Sequence, residues 1–237
     1  MSFRQQNPSD MLLSRNRSAA LSVFMSRVYA WMMVGILVTA MVSYQIGNNP
    51  ALVAKIFMNK PFFWGVIIVQ FLAVIYLTAM INRISAVAAG ITFIMYSALT
   101  GLTLSMIFVM YSQESIASAF GTTALAFGGL SMFGYMTRRD LGPIGSFCMM
   151  GLFGLIGLVL LSFFIPGLSS NSMQLAFSVA GVIIFAGLTA YDTQRIKAFA
   201  TTSESNANQQ AILGALILYL DFLNLFLNLL RLMGQRR

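Results

Sequence analysis

Two carboxylates lie where carboxylates are costly. Asp192 falls in an apolar run over 173–193 and Asp221 about ten residues into another over 211–233, whereas Asp10, Glu114, Asp140 and Glu204 occupy polar stretches between such runs. A charged Asp at the centre of a membrane helix costs about 2.5–3.5 kcal/mol on the translocon scale, and intramembrane carboxylates mark proton or ion paths. The chain contains no histidine. Imidazole catalysis, histidine-ligated metal and histidine pH sensing are therefore excluded, and proton chemistry falls to carboxylates. Carboxylate oxygens are also hard ligands suited to calcium, so Asp192 and Asp221 form a candidate weak calcium site. Asn224 and Asn228 follow Asp221 at three and seven positions, on the same helical face. That face must point into a bundle or a wet cavity.

Whether the two carboxylates meet is a question of depth. Simple depth counting at 1.5 Å per residue leaves them offset by roughly 5 to 10 Å. If tilt brings them together they share a proton and titrate as one unit. Asp192 also stands three residues before Arg195, a spacing that fits an interfacial ion pair. Arg83, at the end of another apolar run, could reach the same pocket and compete with the shared proton, or serve only as a topology anchor.

The elements that must position these groups are membrane helices. Of 237 residues 58% are apolar and 8% charged, with mean hydropathy +0.81, against about 25% charged in a soluble domain. Six acidic and fourteen basic side chains cannot coat a water-soluble fold of this length, so lipid is the solvent. A helix crossing the hydrocarbon needs roughly 20 residues. Seven such stretches are expected, over 28–46, 62–81, 86–110, 116–136, 144–165, 173–193 and 211–233. They are separated by Gly47-Asn48-Asn49-Pro50, Lys60-Pro61, Asn82-Arg83, Arg138-Arg139-Asp140 with Gly142-Pro143, Pro166-Gly167 and a polar loop through Asn208. The expected division is a cytoplasmic tail over 1–27, a transmembrane domain over 28–233 and a short basic tail over 234–237.

The net charge of +8 is spread over the ends of hydrophobic segments rather than along one stripe, which argues for topology and against nucleic acid. Seven spans put nine basic residues on the amino-terminal side (Arg4, Arg15, Arg17, Arg27, Arg83, Arg138, Arg139, Arg195, Lys197) and five on the other (Lys55, Lys60, Arg231, Arg236, Arg237). An amino terminus in the cytoplasm is expected. Ser97, Gly101 and Ser105 recur every four residues, and Gly151, Gly154 and Gly157, with Gly121, Gly128 and Gly129, extend the small-residue pattern by which membrane helices approach closely. The single cysteine, Cys148, lies in an apolar stretch, so no intramolecular disulfide forms; it reads as a small buried apolar side chain.

Tyr191-Asp192-Thr193-Gln194-Arg195-Ile196-Lys197 and Leu218-Tyr219-Leu220-Asp221-Phe222-Leu223-Asn224-Leu225-Phe226, with Leu229-Leu230-Arg231, resemble the two carboxy-terminal signatures of the Bax inhibitor (TMBIM) family. The resemblance is to its bacterial inner-membrane branch and takes in Ser97-Ala98-Leu99-Thr100-Gly101-Leu102-Thr103-Leu104. It implies six helices around a central seventh, and a pH-sensitive calcium leak governed by an aspartate pair that Asp192 and Asp221 match. The family's basic latch aligns with Arg83 when Thr100-Gly101 sets the register, while Asn82 stands where some relatives carry another basic residue. Bacterial relatives are also linked to a membrane-bound ATP-dependent protease.

Three classes of function follow. The first is a gated cation leak needing no cofactor, with calcium as the permeant ion. The second is a non-conducting interaction protein that modulates an ATP-dependent membrane protease or a stress response. The third, an intramembrane aspartyl protease, would also use two aspartates, but its second aspartate follows Gly-x-Gly and precedes Pro-Ala-Leu. Here Asp221 follows Leu218-Tyr219-Leu220, and no proline occurs after Pro166. No lysine lies mid-span to hold retinal, and no phosphate loop appears. The expectation is an all-α integral membrane protein that is not an enzyme.

Overall fold

The computed structural model describes residues 8–199 and 206–235. Arg4, Glu204, Arg236 and Arg237, and the side chains of Asp10, Arg15 and Arg17, lie outside the described set. In chain order the helices are α1 (Pro8–Gly47), α2 (Pro50–Met58), α3 (Lys60–Met80), α4 (Ala86–Leu104), α5 (Ile107–Met110), α6 (Gln113–Met136), α7 (Gly142–Ser162), α8 (Asn171–Phe199) and α9 (Ala207–Met233), with a 3-10 turn over Pro166–Ser169. Seven helical segments among the described residues are long and apolar enough to cross a bilayer. At 1.5 Å per residue even the shortest, of 21 residues, reaches about 30 Å, the thickness of the hydrocarbon core.

Local chemistry sets the boundaries. Asn49 and Asn59 accept hydrogen bonds from Leu52 N (3.2 Å) and Phe62 N (3.3 Å), capping α2 and α3, each with proline in its first turn. Ser85 and Ser112 do the same for α4 and α6. The third span breaks after Leu104, where Ser105 Oγ donates to Leu102 O at 2.7 Å and the chain tightens before α5.

Several limits differ from the sequence reading. The first helix begins at Pro8 rather than near residue 28, and Phe24, Met25 and Val28 are buried, so the apolar face reaches back at least to Phe24. The sixth span runs to Phe199 rather than 193, because its last turn has partners. Gln194 accepts from Leu141 N (2.9 Å) and donates to Arg139 O (2.9 Å), and Lys197 Nζ donates to Tyr135 O (2.9 Å). The end of α8 thus supplies the hydrogen bonds that the α6–α7 turn cannot make for itself. The short helix α2, nine residues between the first two spans, has no counterpart in the expected layout.

Helix α9 packs against α1, α4, α6 and α8, α1 also lies along α4, and α8 also contacts α6 and α7. Buried residues occur all round α9, among them Ala211, Leu216, Leu218, Tyr219, Phe222 and Leu225. The outer faces are the reverse of a water-soluble surface: Phe71 on α3 and Phe153 on α7 are exposed, with Trp64, Ile68, Phe147 and Met150 beside them. An apolar coat on this scale is stable only against lipid.

Small residues set the closest approaches. A Cβ on Gly134 would collide with Ala190 O, and one on Gly101 would lie 2.7 Å from Thr39 O, so α6 meets α8 and α4 meets α1 backbone to backbone. Gly121, Gly128, Gly129, Gly154 and Gly157 have open space beside them. Of the glycines singled out in sequence, Gly101 and Gly151 make close contacts, whereas the contact on α6 belongs to Gly134.

Candidate functional site

The two intramembrane aspartates meet. Asp192 projects from α8 and Asp221 from α9, both buried, and their side chains interact directly. Oδ2 of Asp221 is nonetheless buried without a hydrogen-bond partner, so the contact does not satisfy the carboxyl. Asp192 lies within α8, which extends past residue 193, rather than at its end, and α8 packs along α9. Two ionised carboxylates are acceptors only and repel; one shared proton turns the pair into a donor and an acceptor. The cation acting on Asp192 is Arg195, one turn along α8.

Arg83 is not brought to the pair. It is exposed in the turn between α3 and α4 and is not among the groups acting on either carboxyl. Its neighbour Asn82 holds that turn against α9 by accepting from Gln210 Nε2 at 2.8 Å. Asn224 and Asn228 are half-buried, and each donates its side-chain N–H to the backbone carbonyl one turn back, Leu220 O and Asn224 O, at 2.8 Å. The amide of Asn228 packs onto Gly181 of α8, so this part of the α9 face does turn towards α8.

Hydroxyl groups that the sequence reading passed over hold the two helices in place. Tyr219, fully buried two residues before Asp221, shares a 2.6 Å hydrogen bond with Thr39 of α1, and Thr39 Oγ1 also reaches Ser97 O of α4 at 2.9 Å. Beside Asp192, Thr193 bonds Ser131 of α6 (2.9 Å), which bonds Tyr29 of α1 (2.6 Å). Edge-on ring contacts clamp α9 on either side of Asp221: Tyr219 against Phe93 and Tyr96, and Phe222 against Phe120 and Phe127, with centroids 5.5–5.9 Å apart. Tyr219 lies inside the sequence signature around Asp221; the Tyr29–Ser131–Thr193 chain joins three helices and has no local signal.

Residues 21–237 match the family described as inhibitor of apoptosis-promoting Bax1. The chain belongs to the Bax inhibitor family. Its relatives include the inner membrane protein YbhL of Escherichia coli K12, 47% identical over 223 residues that cover 92% of this chain and 94% of that protein. A Borreliella burgdorferi protein is 42% identical over 217 residues (90% and 92% of the two chains). A Deinococcus radiodurans protein is 38% identical over 215 residues (90% of each). This Bax inhibitor family member is thus a membrane protein matched over nearly its whole length.

Proposed function

We propose that this Bax inhibitor family protein is a pH-sensitive cation leak that passes calcium and is gated by the Asp192–Asp221 pair. The observation that carries this reading is the contact of two buried carboxyls in the bilayer interior, one oxygen of which has no partner. A group that costs stability where nothing in the fold uses it points to function. Proton gain or loss at such a pair changes its charge within a low-dielectric interior, and with it the balance between α8–α9 arrangements that hold the path shut or open. Two carboxylates are too few for a tight calcium site, and conduction requires a weak one. By analogy with YbhL, its place is the bacterial inner membrane, and the distribution of basic residues supports an amino terminus in the cytoplasm.

The experiment is calcium entry into liposomes holding the purified protein, followed with a trapped indicator as pH is varied. Entry above that of empty liposomes, changing with pH, is expected. No entry at any pH would contradict the leak and favour the interaction role, in which partners such as an ATP-dependent protease co-purify from native membranes.

A further inference from the structure

A second site shares no lining residue with the aspartate pair. A groove of about 370 Å³ runs between α1, α4 and the first turns of α9, within the size range of small-ligand sites. Arg27 and Asn208 stand at its polar end, and Trp31, Val87, Ile91 and Ile212 line the remainder. Arg27 is exposed; its Nη1 donates to Asn208 Oδ1 at 2.8 Å, and among the described residues it has no acidic partner. A guanidinium carries five N–H donors, of which this bond uses one. Trp31, one turn further along α1, lies against Gly90, where an added Cβ would come within 2.9 Å of the indole, and packs edge-on to Phe93. Val87 and Ile91 are exposed, so the groove opens sideways onto lipid.

A guanidinium at the mouth of an apolar, laterally open groove complements a molecule with an anion at one end and hydrocarbon at the other. We propose that this groove binds an anionic phospholipid, its phosphate on Arg27 and one acyl chain along Trp31, Val87 and Ile91. Zwitterionic lipid fits the apolar part equally well but leaves the charge of the arginine uncompensated, so the site discriminates by headgroup. The proposal does not depend on the leak.

The chain has two tryptophans, and Trp64 lies exposed on the outer face of α3, so Trp64→Phe leaves Trp31 as the reporter. The full-length protein is placed in phosphatidylcholine vesicles containing small fractions of phosphatidylglycerol or phosphatidylcholine with brominated chains. Trp31 fluorescence is expected to be quenched at about fivefold lower fractions of the brominated phosphatidylglycerol, since one arginine near an anionic surface is worth roughly 1 kcal/mol. Arg27→Gln should erase the preference, while Arg27→Lys and Asn208→Ala, which keep the cation, should retain it. The companion Trp31→Phe protein, reporting through Trp64, should show no preference. Equal quenching by the two lipids, a preference that survives Arg27→Gln, or the same preference at Trp64 would overturn the proposal.

Discussion

Asp221 is held by its surroundings rather than holding them. An unsatisfied buried polar atom costs about 1–3 kcal/mol, and Oδ2 of Asp221 is one. Asp221→Asn is therefore expected to leave the thermal unfolding midpoint in detergent no lower than that of the parent; a large fall would show the carboxylate to be structural. Tyr219 behaves in the opposite way. Its hydroxyl is bonded to Thr39 and fully buried, so Tyr219→Phe should cost about 0.5–1.5 kcal/mol. Combined with Thr39→Val, the loss should be less than the sum of the two, because one bond is being removed twice. Additive losses in an unfolding titration would show that the two hydroxyls do not act on each other. Both aspartates could be read from the sequence, since a carboxylate in an apolar run stands out by type. Tyr219 could not, because a tyrosine among leucines looks the same whether its hydroxyl meets lipid headgroups or Thr39.

Helices here are fixed by contacts that hydrophobicity does not report. The seven spans were legible because apolar runs of about 20 residues are set by bilayer thickness. The ends of α1 and α8 were not, because they depend on tertiary partners. Gln194 looks like a loop residue until Leu141 N and Arg139 O are found at its amide. Gln194→Ala is expected to loosen the α6–α7 turn, seen as faster amide hydrogen exchange at Leu141 with exchange in α3 unchanged; unaltered exchange at Leu141 would contradict the role given to the amide. Gly134→Leu should destabilise the fold by about 1–3 kcal/mol or more, since the new side chain meets backbone at Ala190. Gly154→Ala, with open space around it, should be neutral. Spacing alone could not separate these glycines, because which face of a helix meets a neighbour is decided by the bundle.

For the whole molecule, seven spans would put the chain ends on opposite sides of the membrane, and the orientation proposed from the basic residues has the amino terminus inside. Reporters fused to the two ends should report opposite compartments; reporters on the same side would mean that one of the seven segments does not cross. The meeting of Asp192 and Asp221 belongs to this scale as well, since it requires α8 and α9 to pack in a particular register, which depth counting from expected helix ends left open. Arg83 illustrates the same limit: its register in the chain was legible, but its exposed position in the structure was not. The most direct test of the account is the pH profile of calcium entry through Asp221→Asn beside that of the parent protein in matched liposomes. A gate built on a shared proton predicts that the substitution flattens the profile, and Asp192→Asn should do the same. A pH response that survives both substitutions intact would contradict it.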